Sequence, residues 1–323
     1  MLYPLTFDPI FMKRLWGGRN LERLYGKALP PDQLIGESWE ISDRPDAQSV
    51  VNHGPLAGRS LAWLMEHHRQ EILGPRGAAT GPFPLLIKIL DAEQTLSVQV
   101  HPPAHLAPKL NGQPKTEMWY IASARPDACL YAGLKHGTTR EEFERRLGNG
   151  SVEACLHRIP VREGDAMFLP SGRCHAIGGG NVIFEIQQNS DTTYRVFDWN
   201  RVEADGKPRA LHIPESLASI DFADYEPELI QSKYSRNLSL SLRYLVDDPL
   251  FRVGAWRAAK GERFHLNSDA FQIVGVLHGR LHLAHDAHPV TLNPGQFALI
   301  PACLNRVTVE TPVKSEFLHA QIP

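Results

Sequence analysis

The sequence predicts a mainly β fold, a sandwich or barrel laid out in two successive units with a few helices attached. Three observations carry this reading. Short β-rich runs recur along the chain between Gly, Pro, Asn and Asp; few segments have helical spacing; and one Gly-Pro-Gly-His frame occurs a second time in altered form. The first group of runs is TEMWYIASA (116–124), ACLYAGL (128–134), AMFLP (166–170) and NVIFEIQQ (181–188). The second is FRVGAWRA (251–258), FQIVGVLHG (271–279), RLHLAH (280–285), QFALIP (296–301) and RVTVE (306–310).

The helices are few. Residues 60–73 (SLAWLMEHHRQEIL) open on a serine, keep apolar residues at helical spacing and are followed by Gly74. Residues 139–148 (TREEFERRLG) make a second helix whose charges read as a solvated face, and a third short one starts near Pro214. The segment 202–216 and the polar stretch QSKYSRN (231–237) read as connections, which puts a boundary near residue 230 and divides the chain into 1–230 and 231–323.

Composition narrows the function classes. The 323 residues are 42% apolar and 22% charged, enough for well-formed cores. Thirty-four Lys and Arg against 36 Asp and Glu leave a net charge of -2 with no basic tract, which argues against nucleic acid or an anionic membrane as partner. No apolar run approaches a membrane span and the first residues lack a signal-peptide core, so a cytoplasmic protein is expected. Cys129, Cys155, Cys174 and Cys303 show no CxxC spacing, against both a disulfide framework and a thiolate metal site. Neither GxGxxG nor a P-loop appears, and Gly178-Gly179-Gly180 reads as a turn.

The stretch SVQVHPP (97–103) alternates. Val98 and Val100 fall on one side of an extended chain, with Ser97, Gln99 and His101 on the other. Because it follows the apolar run FPLLIKIL (83–90), both faces of the sheet can be covered, and a polar face then lines a cavity. Lys115, Glu117 and Trp119 share a strand face in the same way, as do Glu185 and Gln187. A lone strand histidine is more often a hydrogen-bonded structural residue than a ligand, so no one of these positions is decisive.

The frame Gly164-x5-Pro170-x-Gly172-x2-His175 resembles the second motif of the cupin superfamily, small jelly-roll barrels that often hold a metal. Near the C-terminus Gly295-x5-Pro301 repeats it, with Cys303 in place of the second glycine and Arg306 in place of the histidine. Arginine has no lone pair to give a cation, so the second unit is expected to be metal-free. The resemblance implies double cupin-like jelly-roll barrels with a few peripheral helices.

A closer resemblance covers most of residues 10 to 201. The pieces FMKRLWGG, IGESWEIS, LLIKILDAEQTLSVQVHPP, KTEMWYI, LPSGRCHAIGGG and FEIQQNSDTTYRVFDWNR, in this order, resemble the type I mannose-6-phosphate isomerases in their short bacterial form. Beyond residue 230 the likeness is only to a β-rich tail. The resemblance implies one Zn2+ per chain held by Gln99, His101, Glu117 and His175, a donor set of imidazole, carboxylate and amide that suits zinc and leaves room for a sugar oxygen. It implies Ser97 and Lys115 as substrate or phosphate contacts. Arg195 is expected to hold the charge that develops when a proton leaves carbon beside a carbonyl, and Glu185 to move that proton, with Asp191 a candidate partner for Arg195. The implied reaction interconverts mannose 6-phosphate and fructose 6-phosphate through a cis-enediol. Two rivals are an iron-dependent cupin oxygenase and a non-catalytic sugar-binding cupin; the amide ligand and Lys115 speak against the first, the intact Arg195 and ligand set against the second.

Overall fold

A computed structural model of the chain describes residues 1–202, 206–237, 239–284 and 288–323. Residues 203–205 of the expected connection, and His285 of the run RLHLAH, lie outside the described residues.

Two six-stranded antiparallel sheets stand back to back. The first takes its strands from Ile10–Gly18, Ile35–Ile41, Leu85–Ala92, Asn181–Gln188, Glu117–Ala124 and Ala166–Leu169, in that spatial order. The second runs Ser235–Asn237, Leu240–Asp247, Arg252–Ala258, Ser315–Gln321, Gln272–His278, Phe297–Ile300. Each is closed on its far side by a smaller sheet. Tyr194–Phe197, Val98–Val100, His175–Ile177, Cys129–Leu134 and Leu156–Pro160 form the one over the first; Arg263–Asn267, Arg306–Glu310, Leu281–Ala284 and Val290–Leu292 form the one over the second. The result is a double cupin-like architecture, mainly β.

Period-two alternation sorts the side chains into layers. Ile87, Ile89, Met118, Tyr120, Phe184 and Ile186 point out of the first barrel and meet Val253, Ala255, Ile273, Phe297, Leu318 and Ala320 from the second in one core between the large sheets. The N-terminal segment joins the two, Leu5 exchanging backbone hydrogen bonds of 2.8 Å in both directions with Leu299. Inside the second barrel Val274, Val276, Leu281, Leu283, Val307, Val309 and Phe317 form an apolar filling. Inside the first, Leu90, Trp119, Ile121, Leu130, Ile177 and Ile183 fill only part of the space, and the rest is a polar cavity.

The helices match expectation with two differences. Ser60 caps Leu61–His67, its Oγ accepting from Trp63 N at 3.1 Å, and Thr139 caps Arg140–Gly148 in the same manner at 3.2 Å from Glu142 N. The third is Ile213–Ser219. The segment 60–73 is two helices, not one. His68, at φ -135°, closes the first through its N–H to Leu64 O at 2.7 Å and opens Arg69–Leu73 through its carbonyl, which accepts from Ile72 N at 2.9 Å. Both pieces bury the same side, so apolar spacing alone does not register the break. A short helix, Asn20–Tyr25, was not foreseen; Gly26 at φ 63° ends it.

Candidate metal centre and its cavity

Val98 and Val100 are fully buried in the layer outside the first barrel, so Ser97 and Gln99 face in and line a cavity of about 410 Å³. His101 follows at the strand end, where Pro102 and Pro103 supply no N–H to continue the ladder. Backbone register then brings the small sheet's residues into a row: His175 pairs with Gln99 on one side and Arg195 with Gln99 on the other. The large sheet opposes it with Gln187 paired to Glu117, and Glu185 paired to both Lys88 and Trp119.

His101, Glu117 and His175 meet with ligand atoms all within 4.8 Å of one another, each about 1% exposed or less. Glu117 Oε1 lies 3.4 Å from His175 Nε2, and Oε2 lies 3.6 Å from His101 Nε2. The amide nitrogen of Gln99 is 3.4 Å from His175 Nε2, so Gln99 stands beside the three-residue cluster. His101 Nδ1 is 2.8 Å from Thr192 O and His175 Nδ1 is 2.9 Å from Arg173 O. A carbonyl can only accept, so both rings carry the proton on Nδ1 and aim a bare Nε2 at Glu117. His101 Nε2 and both Glu117 oxygens are buried with no aligned hydrogen-bond donor. That is costly for a carboxylate unless a cation is bound, and two imidazoles, a carboxylate and an amide oxygen are a fitting donor set for a divalent metal.

The electrostatics agree. Burial holds the His175 imidazole down to about 3 and lowers His101 as well, with Lys115 adding to the effect on His101, so both rings are neutral at physiological pH. Burial alone would raise the Glu117 carboxyl, but the Lys115 ammonium, 2.9 Å away, outweighs it and holds it well below the usual range. Lys115 is therefore beside the ligand cluster. Burial works against its charge too, and Glu117 reverses the sign, raising its pKa.

Glu185 is 2% exposed, accepts from Trp119 Nε1 at 2.9 Å and has Lys88 Nζ at 3.6 Å. Burial raises its pKa in spite of the cations around it. Arg195 reaches the cavity, with Nη1 donating to Ala210 O at 2.7 Å and its own N–H donating to His212 Nδ1 at 3.0 Å. His212, read from the sequence as structural, thus fixes the backbone of Arg195. Asp191 also lines the cavity, 3.9 Å from Lys88.

Four charged lining residues escaped sequence reasoning: Arg14, Glu37, Lys88 and Arg209. Lys88 sits 4.6 Å over the Trp39 ring and 3.4 Å from Glu37, which Arg14 Nε also meets at 2.6 Å. Burial opposes ionisation of Glu37, but Lys88 and Arg14 prevail and hold it at about 2. One signal was available: Lys88 interrupts LLIKIL, and a charge inside a fully apolar strand run has to be paired.

Residues 5–130 match the profile of the family described as phosphomannose isomerase type I, catalytic domain. A probable mannose-6-phosphate isomerase, GmuF of Bacillus subtilis (strain 168), is 37% identical over 96% of this chain and 97% of its own length. The chain belongs to the type I mannose-6-phosphate isomerase family. A second family member, the mannose-6-phosphate isomerase ManA of the same organism, is 36% identical over 95% of this chain and 96% of its own. The crystal structure of a mannose 6-phosphate isomerase from Bacillus subtilis superposes with a TM-score of 0.89 at 29% identity, covering 99% of this chain and all of that one. The fold is also that of the H99Q mutant of phosphomannose isomerase from Salmonella typhimurium, at a TM-score of 0.78 and 17% identity over 99% of this chain. The family's β-rich architecture therefore extends over the second barrel, where the sequence resemblance was only general.

Proposed function

We propose that the protein is a zinc-dependent mannose-6-phosphate isomerase that interconverts mannose 6-phosphate and fructose 6-phosphate through a cis-enediol. The observation that carries this reading is the buried His101–Glu117–His175 cluster, opening onto a cavity that also holds Gln99, Lys115, Glu185 and Arg195. The relatives supply the substrate: their names give mannose 6-phosphate as what they act on. The catalytic unit is read as 1–230 and the metal-free unit as 231–323.

Gln99, His101, Glu117 and His175 would hold the zinc ion, which when bound supplies a Lewis acid for a sugar hydroxyl or carbonyl oxygen. Around it the chain's own groups divide the work. Ser97 and Lys115 bind the open-chain sugar. Glu185, its pKa raised by burial and its basicity limited by Lys115, Lys88 and Trp119, takes the proton from C2 and returns it to C1 while the hydroxyl proton passes from O2 to O1. Arg195, permanently charged, holds the negative charge on the enediolate between these two transfers. The two-electron change is internal to the sugar, so no external redox partner is consumed.

The test is an isomerase assay on mannose 6-phosphate before and after chelation, with zinc or iron added back. Turnover that chelation abolishes and zinc restores is expected. Full activity in exhaustively chelated protein, or sugar binding without isomerisation in zinc-loaded protein, would overturn the proposal.

A further inference from the structure

The cavity has two poles, and its cations are not equivalent. Lys115 is engaged by Glu117 at 2.9 Å, at the metal-ligand pole. Arg14 bonds Glu37, and Lys88 lies between Glu37, Glu185 and Asp191. Arg209 differs. Its Nε and Nη2 donate to the two oxygens of Asp198 at 2.8 and 2.6 Å, while among the described residues no acceptor meets Nη1, and the side chain lines the cavity.

Asp198 is itself fixed. Arg201 Nη2 donates to it at 2.5 Å, and the same guanidinium donates through Nη1 to Thr95 O at 2.6 Å. Asp198 is buried, which disfavours its charge, but hydrogen bonds from Arg209 and Arg201 win and lower its pKa. Two guanidinium groups share one carboxylate, which leaves this cluster one net positive charge, with the outer edge of Arg209 unspent.

Backbone register locates this edge. Phe197 pairs with Val98, so Asp198 stands level with Ser97, two residues along the strand from Gln99. Two residues of strand span about 7 Å, comparable to the reach of an open hexose chain from its second carbon to a phosphorus on its sixth. A planar guanidinium edge suits a phosphate dianion better than an ammonium committed elsewhere, because it can donate two parallel hydrogen bonds.

We infer that Arg209, braced by Asp198 and Arg201 and assisted by Ser97, is the anchor for the terminal phosphomonoester of the substrate, and that Lys115 serves the reacting end. This inference rests on the isomerase reading above. It makes the site selective for open-chain sugars carrying a phosphate dianion about one strand repeat away from the carbonyl.

The experiment compares wild type, Arg209→Gln and Arg209→Lys. For Arg209→Gln, KM for mannose 6-phosphate should rise about 10- to 100-fold, the worth of a charge-assisted hydrogen bond, while kcat changes little. Titration of inorganic phosphate into chelated protein, followed by calorimetry, should weaken by a similar factor. Arg209→Lys keeps a cation against Asp198 and covers the case in which the glutamine variant does not fold; it should raise KM and weaken phosphate binding to a smaller extent. Unchanged KM and phosphate affinity in a folded variant would overturn the assignment, as would a fall in kcat with phosphate binding intact. If wild-type protein fails to turn over mannose 6-phosphate, the isomerase reading falls; the phosphate titration still decides whether Arg209 holds an anion.

Discussion

Replacing Glu117 by Gln removes one charge and almost no volume, and two separable losses should follow. In metal-free protein the Lys115 ammonium, 4% exposed and 2.9 Å from the carboxylate, loses its nearest counter-ion. Breaking a buried pair from one side costs about 3–5 kcal/mol, so the chelated variant should unfold at a clearly lower urea concentration. Adding Lys115→Met removes the stranded charge, and the double variant should recover most of that loss, because a buried pair replaced on both sides by neutral groups is close to neutral. Metal binding should not recover: one of three strong donors is gone, and competition against a chromophoric chelator should show affinity for zinc down by at least about 100-fold. A chelated Glu117→Gln that unfolds with the wild type would refute the account of Lys115 and Glu117 as a buried pair. A double variant no more stable than the single would do the same, and wild-type zinc affinity in either would remove Glu117 from the ligand set.

Further outcomes follow from the same geometry. Glu37 is held at about 2 against an ordinary value of 4.5, so its ionised form stabilises the fold by about 3 kcal/mol above pH 4.5; because the folded pKa is depressed, this stability is lost as pH falls from 4.5 toward 2. Urea midpoints measured between pH 5.5 and 3 should fall less steeply in Glu37→Gln than in wild type, and equal slopes would contradict the assignment. Tyr120 and Tyr234 both donate to Glu316 Oε1, at 2.9 and 2.7 Å, joining the first barrel to the second. Tyr120→Phe should cost about 1.5–3 kcal/mol in urea unfolding, and a midpoint matching wild type would argue against the clamp. A Cβ on Gly17 would stand 2.4 Å from Gly36 N, backbone against backbone, so Gly17→Ala should lower the thermal midpoint far more than Gly148→Ala, where nothing lies within 4 Å.

Much of the site was legible because its residues obey strand periodicity. Gln99 and His101 beside buried Val98 and Val100, and Glu117 two residues from Lys115, declare a shared face before any coordinates are known. The partners across the barrel were not legible, since register is a long-range property: nothing local says that Arg195 and His175 flank Gln99. The strand Ser315–Gln321 was missed for a related reason. Its SEFLHAQ has weak β character taken alone, yet it lies at the middle of the second large sheet, where pairing on both edges overrides propensity. Lys88 hid inside a run that read as apolar, Glu37 inside IGESWEIS, which carried only the family likeness, and Arg209 inside a stretch that read as a connection.

The same alternation explains why the second barrel matters to a site it does not line. Three central strands of the first large sheet carry apolar residues on either side of an inward-facing one: Ile87 and Ile89 around Lys88, Phe184 and Ile186 around Glu185, Met118 and Tyr120 around Trp119, which stands two residues from Glu117. Those apolar side chains have no room inside the first barrel, and they are dry because Ile273, Phe297 and Leu318 of the second barrel cover them. Slipping any of these strands by one residue would turn an apolar side chain toward the ligand cluster and a site residue into the seam between the barrels. The apolar seam therefore fixes the register that places Lys88, Glu185 and Glu117, and the second barrel, filled with its own core, contributes to the chemistry by holding that wall in place.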